Sequence, residues 1–150
     1  MNHYLKFGLM IIASTVVMFS LMYLNIYEFD HIFFSETRAY MAILMGATMA
    51  VLMLGFMSKM YANKTLNNAI YLVSAVIFGV SLWLVRSQST IEDVSWMKAM
   101  IPHHSIAILT SERANITDPR VRALADGIID AQKREITEMK ALIKDLESSH

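Results

Sequence analysis

Residues 7–27, 39–58 and 65–85 carry no charged side chain. Each run is about as long as the roughly 20 residues of helix that cross a bilayer core. Backbone N–H and C=O groups have no water to bond to in hydrocarbon, so such runs must satisfy one another as helices. The pattern predicts three transmembrane helices at about residues 7–27, 39–60 and 66–85. Tyr23, Tyr27, Tyr40, Tyr61, Tyr71 and Trp83 lie near the span ends, where interfacial aromatic residues concentrate. The first run is longer than the apolar core of a signal peptide, about 7–15 residues, and no small-x-small cleavage site follows it. It is expected to stay as an anchor.

Orientation follows from Lys and Arg in the short flanks. Lys6 precedes the first span, Lys59 and Lys64 occupy the second loop with no acid, and the first loop has Arg38 beside Glu28, Asp30 and Glu36. The N-terminus and second loop are therefore placed in the cytoplasm. The first loop, with Glu28, Asp30 and His31, is placed outside, on the same side as everything after the third span.

Residues 1–86 carry eight charged side chains and residues 87–150 carry eighteen. The domain division is accordingly 1–88, a three-span membrane region, and 89–150, a polar helical domain. Net charge is zero, which gives no basic field for nucleic acid. The absence of cysteine removes disulfides, thiolate metal sites and cysteine nucleophiles. In the second span Met41, Met45, Met49, Met53 and Met57 recur every four residues. Adaptable apolar packing accounts for them, since no ionisable partner accompanies the stripe; metal conduction is the alternative. Ala42, Gly46 and Ala50 form a small-residue face of the kind that lets membrane helices approach.

Ser89 with Glu92 suggests a capping box, followed by a helix from about Thr90 to Ala114 that contains Pro102. Asp118 and Pro119 suit the N-cap and first position of a last helix running to about Leu146. Its apolar stripe reads Val121, Leu124, Ile128, Ala131, Met139, Leu142, Leu146, with Gln132 and Glu135 inside the stripe. A carboxylate on a buried face is costly unless paired or bound. With the turn centred near Ile116, an antiparallel hairpin places Met97 near Glu135, Met100 near Gln132 and His104 near Ile128, give or take a turn. Thioethers and imidazoles then converge with a carboxylate and an amide. Thioether with imidazole suits Cu(I), and carboxylate with imidazole suits Zn(II) or Cu(II). Core packing of the Met residues, and a Glu135 pair with Lys98 or Arg134, is the plainer reading of the same residues.

Met97-x-x-Met100-Ile101-Pro102-His103-His104 followed by Ala107-Ile108, and then Arg122-Ala123-Leu124-Ala125, Ile128-Ile129, Gln132, Glu135-Ile136 and Met139-Lys140, resemble the two motif blocks of the domain-of-unknown-function 305 family. The likeness covers about residues 93–146. It implies a ferritin-like, four-helix-bundle class in which some members bind copper or silver. It also implies Met97, Met100, His103, His104 and Met139 as metal ligands, with Gln132 and Glu135 in support. The chain departs from the family pattern at Ser105, where Gln is common, at Thr110, where Met is common, and at Leu142, where an aromatic residue is usual.

One hairpin cannot cover both of its apolar faces, so a homodimer that completes a four-helix bundle is expected; otherwise the hairpin folds back onto the first loop. The fold class is all-α. The function expected is a membrane-anchored, extracytoplasmic (periplasmic or extracellular) metal-binding protein, with copper as the ion and zinc as the alternative, serving sequestration or hand-over to a metal-handling partner protein. The competing class is a structural or interaction module without metal. An enzyme is not expected: the Glu-x-x-His pair of the di-iron type formed by Glu147 and His150 lies at the chain end, and no phosphate loop or metalloprotease motif is present.

Overall fold

The computed structural model describes residues 3–148. It is all-helical: α1 (His3–Leu21), α2 (Glu36–Phe56), α3 (Lys64–Ser87), α4 (Asp93–Arg113) and α5 (Pro119–Ser148), with 3-10 turns at Phe29–His31 and Ser58–Met60. No strand occurs among the described residues. The chain divides into two compact units: one holds α1, α3 and α2 from Thr37 onward, the other holds residues 23–36 with α4 and α5. The division differs from a simple cut at residue 88, because the first loop belongs with the hairpin.

In the first unit α1, α2 and α3 are each long and apolar enough to cross a membrane. Helix α1 ends at Leu21, six residues before the end of the charge-free run. At α3, Asn63 caps the helix by accepting the Leu66 N–H at 3.0 Å, which satisfies one of the orphan donors of the first turn. The helix closes on Gln88 in the left-handed region, φ 52°, with the Gln88 N–H bonded to Leu84 O. Ala42, Gly46 and Ala50, with Ala47, are buried, as a close-packing face requires. A Cβ on Gly46 would sit 2.3 Å from Thr15 Oγ1, so α1 and α2 approach closely there and any larger residue must displace the Thr15 hydroxyl from its bond to Ile11 O. Of the methionine stripe, Met41 is exposed and the other four are half-buried. Met53 and Met57 pack on the cluster of Phe7, Ala50, Leu54 and Tyr61, an apolar role that Met fills readily.

In the second unit the core is built from Met97, Ile101 and Ile108 of α4 and Ile129, Ile136, Met139 and Ile143 of α5, with Tyr27 and Phe33 of the loop packed against it. Burying each such side chain contributes roughly 1.5–3 kcal/mol. Helix α5 therefore carries two apolar rows. The inner row is Ala125, Ile129, Gln132, Ile136, Met139, Ile143 and Leu146, buried or half-buried, at the alternating four-and-three spacing of a helix–helix seam. Val121, Leu124, Ile128 and Leu142, which the sequence places in the core stripe, are exposed. The rows interleave at nearly the same period, and the loop side chains on the core favour the isoleucine row.

Caps follow in part. Asp118 Oδ1 accepts the Arg120 N–H at 2.8 Å, the expected N-cap geometry. The capping box at Ser89 does not form: α4 starts at Asp93, and Glu92 is itself the N-cap, with no side-chain cap bond. Ser89 instead turns back to Ser87, 3.2 Å between hydroxyls.

The loop is fastened to the hairpin at several points. The Tyr27 N–H donates to Ser105 Oγ at 2.7 Å, and His31 Nδ1 lies 2.9 Å from the same oxygen. Lys140 Nζ donates to Asp30 Oδ2 at 2.6 Å, and Ser95 donates to Glu36 at 2.9 Å. Lys133 lies over the Tyr27 ring, 5.6 Å from its centroid, and pairs with Glu112 at 3.1 Å. Glu112 also holds the Tyr27 phenol above its ordinary range through a hydrogen bond. Burial holds the His31 imidazole below its ordinary value of 6.5; Lys140 adds to that, while Asp30 and Glu28 oppose it. The hydrogen bond from Lys140 holds Asp30 below 3.8.

Two expectations follow from this packing. Gly46→Val should destabilise the first unit by about 1–3 kcal/mol, the usual penalty of overpacking, when unfolding is followed in detergent. Gly79→Val, where nothing lies within 4 Å, should stay within about 0.5 kcal/mol. Docking of the loop should also weaken in acid. The docked state lowers the His31 value, so the undocked state takes the proton first, and stability is lost as pH falls below 6.5. Asp30 adds a second loss below 3.8, because its value too is lowered by docking. Thermal melting in metal-free buffer should fall between pH 7.5 and 5, and His31→Gln should flatten that slope.

Candidate functional site

The residues expected as ligands fall in one segment of the hairpin, but not at one depth. Met97 and Met139 are buried in the core cluster, and Met100 is partly buried against it. His103 is exposed and His104 half-buried. The two rings stand 6.3 Å apart between centroids, at 68°, because neighbours on a helix diverge by about 100°. Gln132 is half-buried within the inner row of α5, and Glu135 is half-buried beside it. Met97 also borders a groove of about 330 Å³, formed with Asp93, Trp96, Leu142, Asp145 and Leu146.

His104 is the most constrained of these side chains. Its Nδ1 lies 3.0 Å from the Met100 carbonyl oxygen and its Nε2 lies 2.8 Å from Glu135 Oε2. Both partners are acceptors, and a neutral imidazole has one N–H. A neutral ring donates to one of them; the other nitrogen then needs either its own proton or an ion shared with the facing oxygen. The bond to the Met100 carbonyl fixes the ring orientation, as groups behind metal-ligating histidines do. Glu135 is 44% exposed at its side chain, free to turn toward or away from an ion at Nε2.

The pairing of His104 with Glu135 corrects the register read from the turn, which placed His104 near Ile128 and Met97 near Glu135. Helical side chains lean toward the N-terminus of their own helix and cover the preceding turn. In an antiparallel pair the two leanings run in opposite directions along the hairpin, so the tips meet about one turn off on each helix. Near the turn the backbone register holds, with Arg122 donating to Ser111 O at 3.0 Å. Lys98, another candidate partner of Glu135, pairs with Glu147. His150 lies outside the described residues, so the Glu147 to His150 pair is not placed.

A second polar cluster lies on the docked loop, and the sequence motifs do not single it out as a site. Glu28, Asp30 and His31 each offer a ligand atom, all within 4.8 Å of one another. His31 is buried and the two acids are exposed. The sequence signal that could have found it is the Glu-x-x-His spacing of Glu28 and His31, with Asp30 between them, in an otherwise apolar loop on the side assigned to the hairpin.

Comparison with known proteins gives a family and no activity. The model of the family described as "Domain of unknown function (DUF305)" matches residues 85–150, which contain the hairpin. An uncharacterized protein of Acanthamoeba polyphaga mimivirus is 36% identical over 106 residues, covering 69% of this chain and 68% of that protein. No solved structure matches the chain significantly. With the hairpin matched by the family model and two thirds of a relative aligned, the chain belongs to the DUF305 family.

Proposed function

We propose that the chain is a membrane-anchored metal-binding protein whose Met/His face takes up copper, as Cu(I), outside the cytoplasm for sequestration or hand-over to a partner protein. The observation that carries this reading is His104, held between two acceptors so that one ring nitrogen calls for a cation. His103 and Met100 stand next to it, and Met97 borders the neighbouring groove. Imidazole and thioether are the donors that suit Cu(I), whereas His104 with Glu135 alone would suit Zn(II). Met139 is enclosed in the core and would serve by packing behind the site. Anchoring by α1–α3 fits their length and apolarity. The basic residues of the N-terminus and second loop favour an outside location for the loop and hairpin.

A second copy completes the reading. Trp96 on α4 and Val121, Leu124, Ile128 and Leu142 on α5 are exposed apolar side chains of a polar domain. Pairing two hairpins through these rows would form a four-helix bundle and bring two His104–Glu135 pairs together. The alternative is a bundle that assembles without metal. It draws on the core burial of Met97 and Met139 and on the His104–Glu135 ion pair as a register device.

Elemental analysis and sedimentation of the detergent-purified chain after Cu(I) exposure test both parts. Stoichiometric copper in the wild type, lost in His103→Ala/His104→Ala, is the expected result. Leu124→Lys/Ile128→Lys is expected to sediment as a monomer. Equal copper in wild type and the histidine variant, or none in either, overturns the copper reading in favour of the interaction module.

A further inference from the structure

We propose that Glu28, Asp30 and His31 form a second metal site, separate from the Met/His face, for a borderline divalent ion of the zinc(II) class. The 3-10 turn Phe29–His31 builds it. Residues three apart stack in such a turn, which brings Glu28 over His31, and the turn is closed by the His31 N–H to Glu28 O at 3.1 Å. His31 Nε2 is then 3.6 Å from Asp30 Oδ1 and 3.8 Å from Glu28 Oε2. Those separations exceed a hydrogen bond, about 2.7–3.2 Å. They approach the roughly 3.4 Å between neighbouring ligands of a tetrahedral ion whose bonds are about 2.1 Å.

The imidazole distinguishes this cluster from two chance surface acids. The His31 side chain is 7% exposed, its Nδ1 is engaged by Ser105 Oγ, and its Nε2 has no hydrogen-bond partner among the described residues. That nitrogen points between carboxylates whose side chains are 57% and 64% exposed. A histidine oriented from behind by one nitrogen, with the other facing carboxylates, is the arrangement of a metal ligand with its support. Burial favours the neutral ring, which is the ligating form. Lys140 holds Asp30 Oδ2 and leaves Oδ1 toward His31, so Asp30 is oriented as well. Two carboxylates face one ammonium here, that of Lys140, because Lys133, which also lines the adjoining cavity, is paired with Glu112. A cavity of about 220 Å³, lined in part by Tyr27, Glu28, His31 and Lys140, gives water room to complete the coordination. Three N/O donors and no thioether select against Cu(I), so the two sites differ in the ion they take. An ion here would also favour the docked loop, because Ser105 and Lys140 of the hairpin hold His31 and Asp30 in the ligating arrangement.

Co(II), whose visible spectrum reports its coordination, is the probe, with full-length protein in detergent. Stoichiometric Co(II) binding should survive His103→Ala/His104→Ala and vanish in Asp30→Asn/His31→Gln. Glu28→Gln, a change at an exposed carboxylate outside the core, should weaken Co(II) binding by roughly tenfold or more while leaving helix content and Cu(I) uptake unchanged. Absence of Co(II) binding in the wild type overturns the proposal. So does unchanged binding in Glu28→Gln, or loss in the His103/His104 variant with retention in Asp30→Asn/His31→Gln.

Discussion

The hydroxyl of Ser105 is the hinge on which the polar unit depends. It is fully buried, accepts the Tyr27 N–H and meets the His31 ring. Without a partner at that point, a half-buried backbone donor and a buried imidazole would both lose a hydrogen bond, at a cost of up to about 1–3 kcal/mol for the buried group. With it, a loop that joins two apolar helices becomes part of a helical hairpin's core. Tyr27 and Phe33 gain an apolar surface, Asp30 reaches Lys140, and Glu28, Asp30 and His31 are held in one place. A long side chain at position 105 would fill the space the loop occupies.

Covering one side of the hairpin decides what remains on the other. Helix α5 has an isoleucine row and a second row of Val121, Leu124, Ile128 and Leu142; the loop packs with the first, and the second stays exposed beside Trp96. The polar pair His104–Glu135 is half-buried between these surfaces, where an ionic contact is neither fully desolvated nor fully screened. Position explains the division among the methionines too. Those that point inward pack with isoleucines, and Met100, one turn before His104, remains at the edge.

Much of this was legible in the sequence. Charge-free runs marked the three apolar helices, and small residues at Ala42, Gly46 and Ala50 marked their close-packed face. Asp118-Pro119 marked the start of α5. What periodicity could not resolve was which of two interleaved rows on α5 turns inward, because both repeat at the helical period; packing against α4 and the docked loop together makes that choice. Register failed for a related reason. Residue spacing locates Cα atoms, whereas contact is made by side-chain tips that lean a turn away, which is how Glu135 meets His104 rather than Met97. Ser89-x-x-Glu92 misled because a local Ser87–Ser89 turn offered the hydroxyl another partner. The Glu28, Asp30 and His31 cluster was visible as a spacing of acids and a histidine within four residues, but its meaning depends on Ser105, far along the chain.

Hydrogen exchange at the Tyr27 amide tests the central claim, that residues 23–36 and the hairpin fold as one unit through Ser105. In the wild-type protein this amide should be protected alongside the amides of α4 and α5. Ser105→Ala should raise its exchange roughly tenfold or more while α5 stays protected. A Tyr27 amide that exchanges at the open-chain rate in the wild type, or one indifferent to the loss of the hydroxyl, would contradict the account.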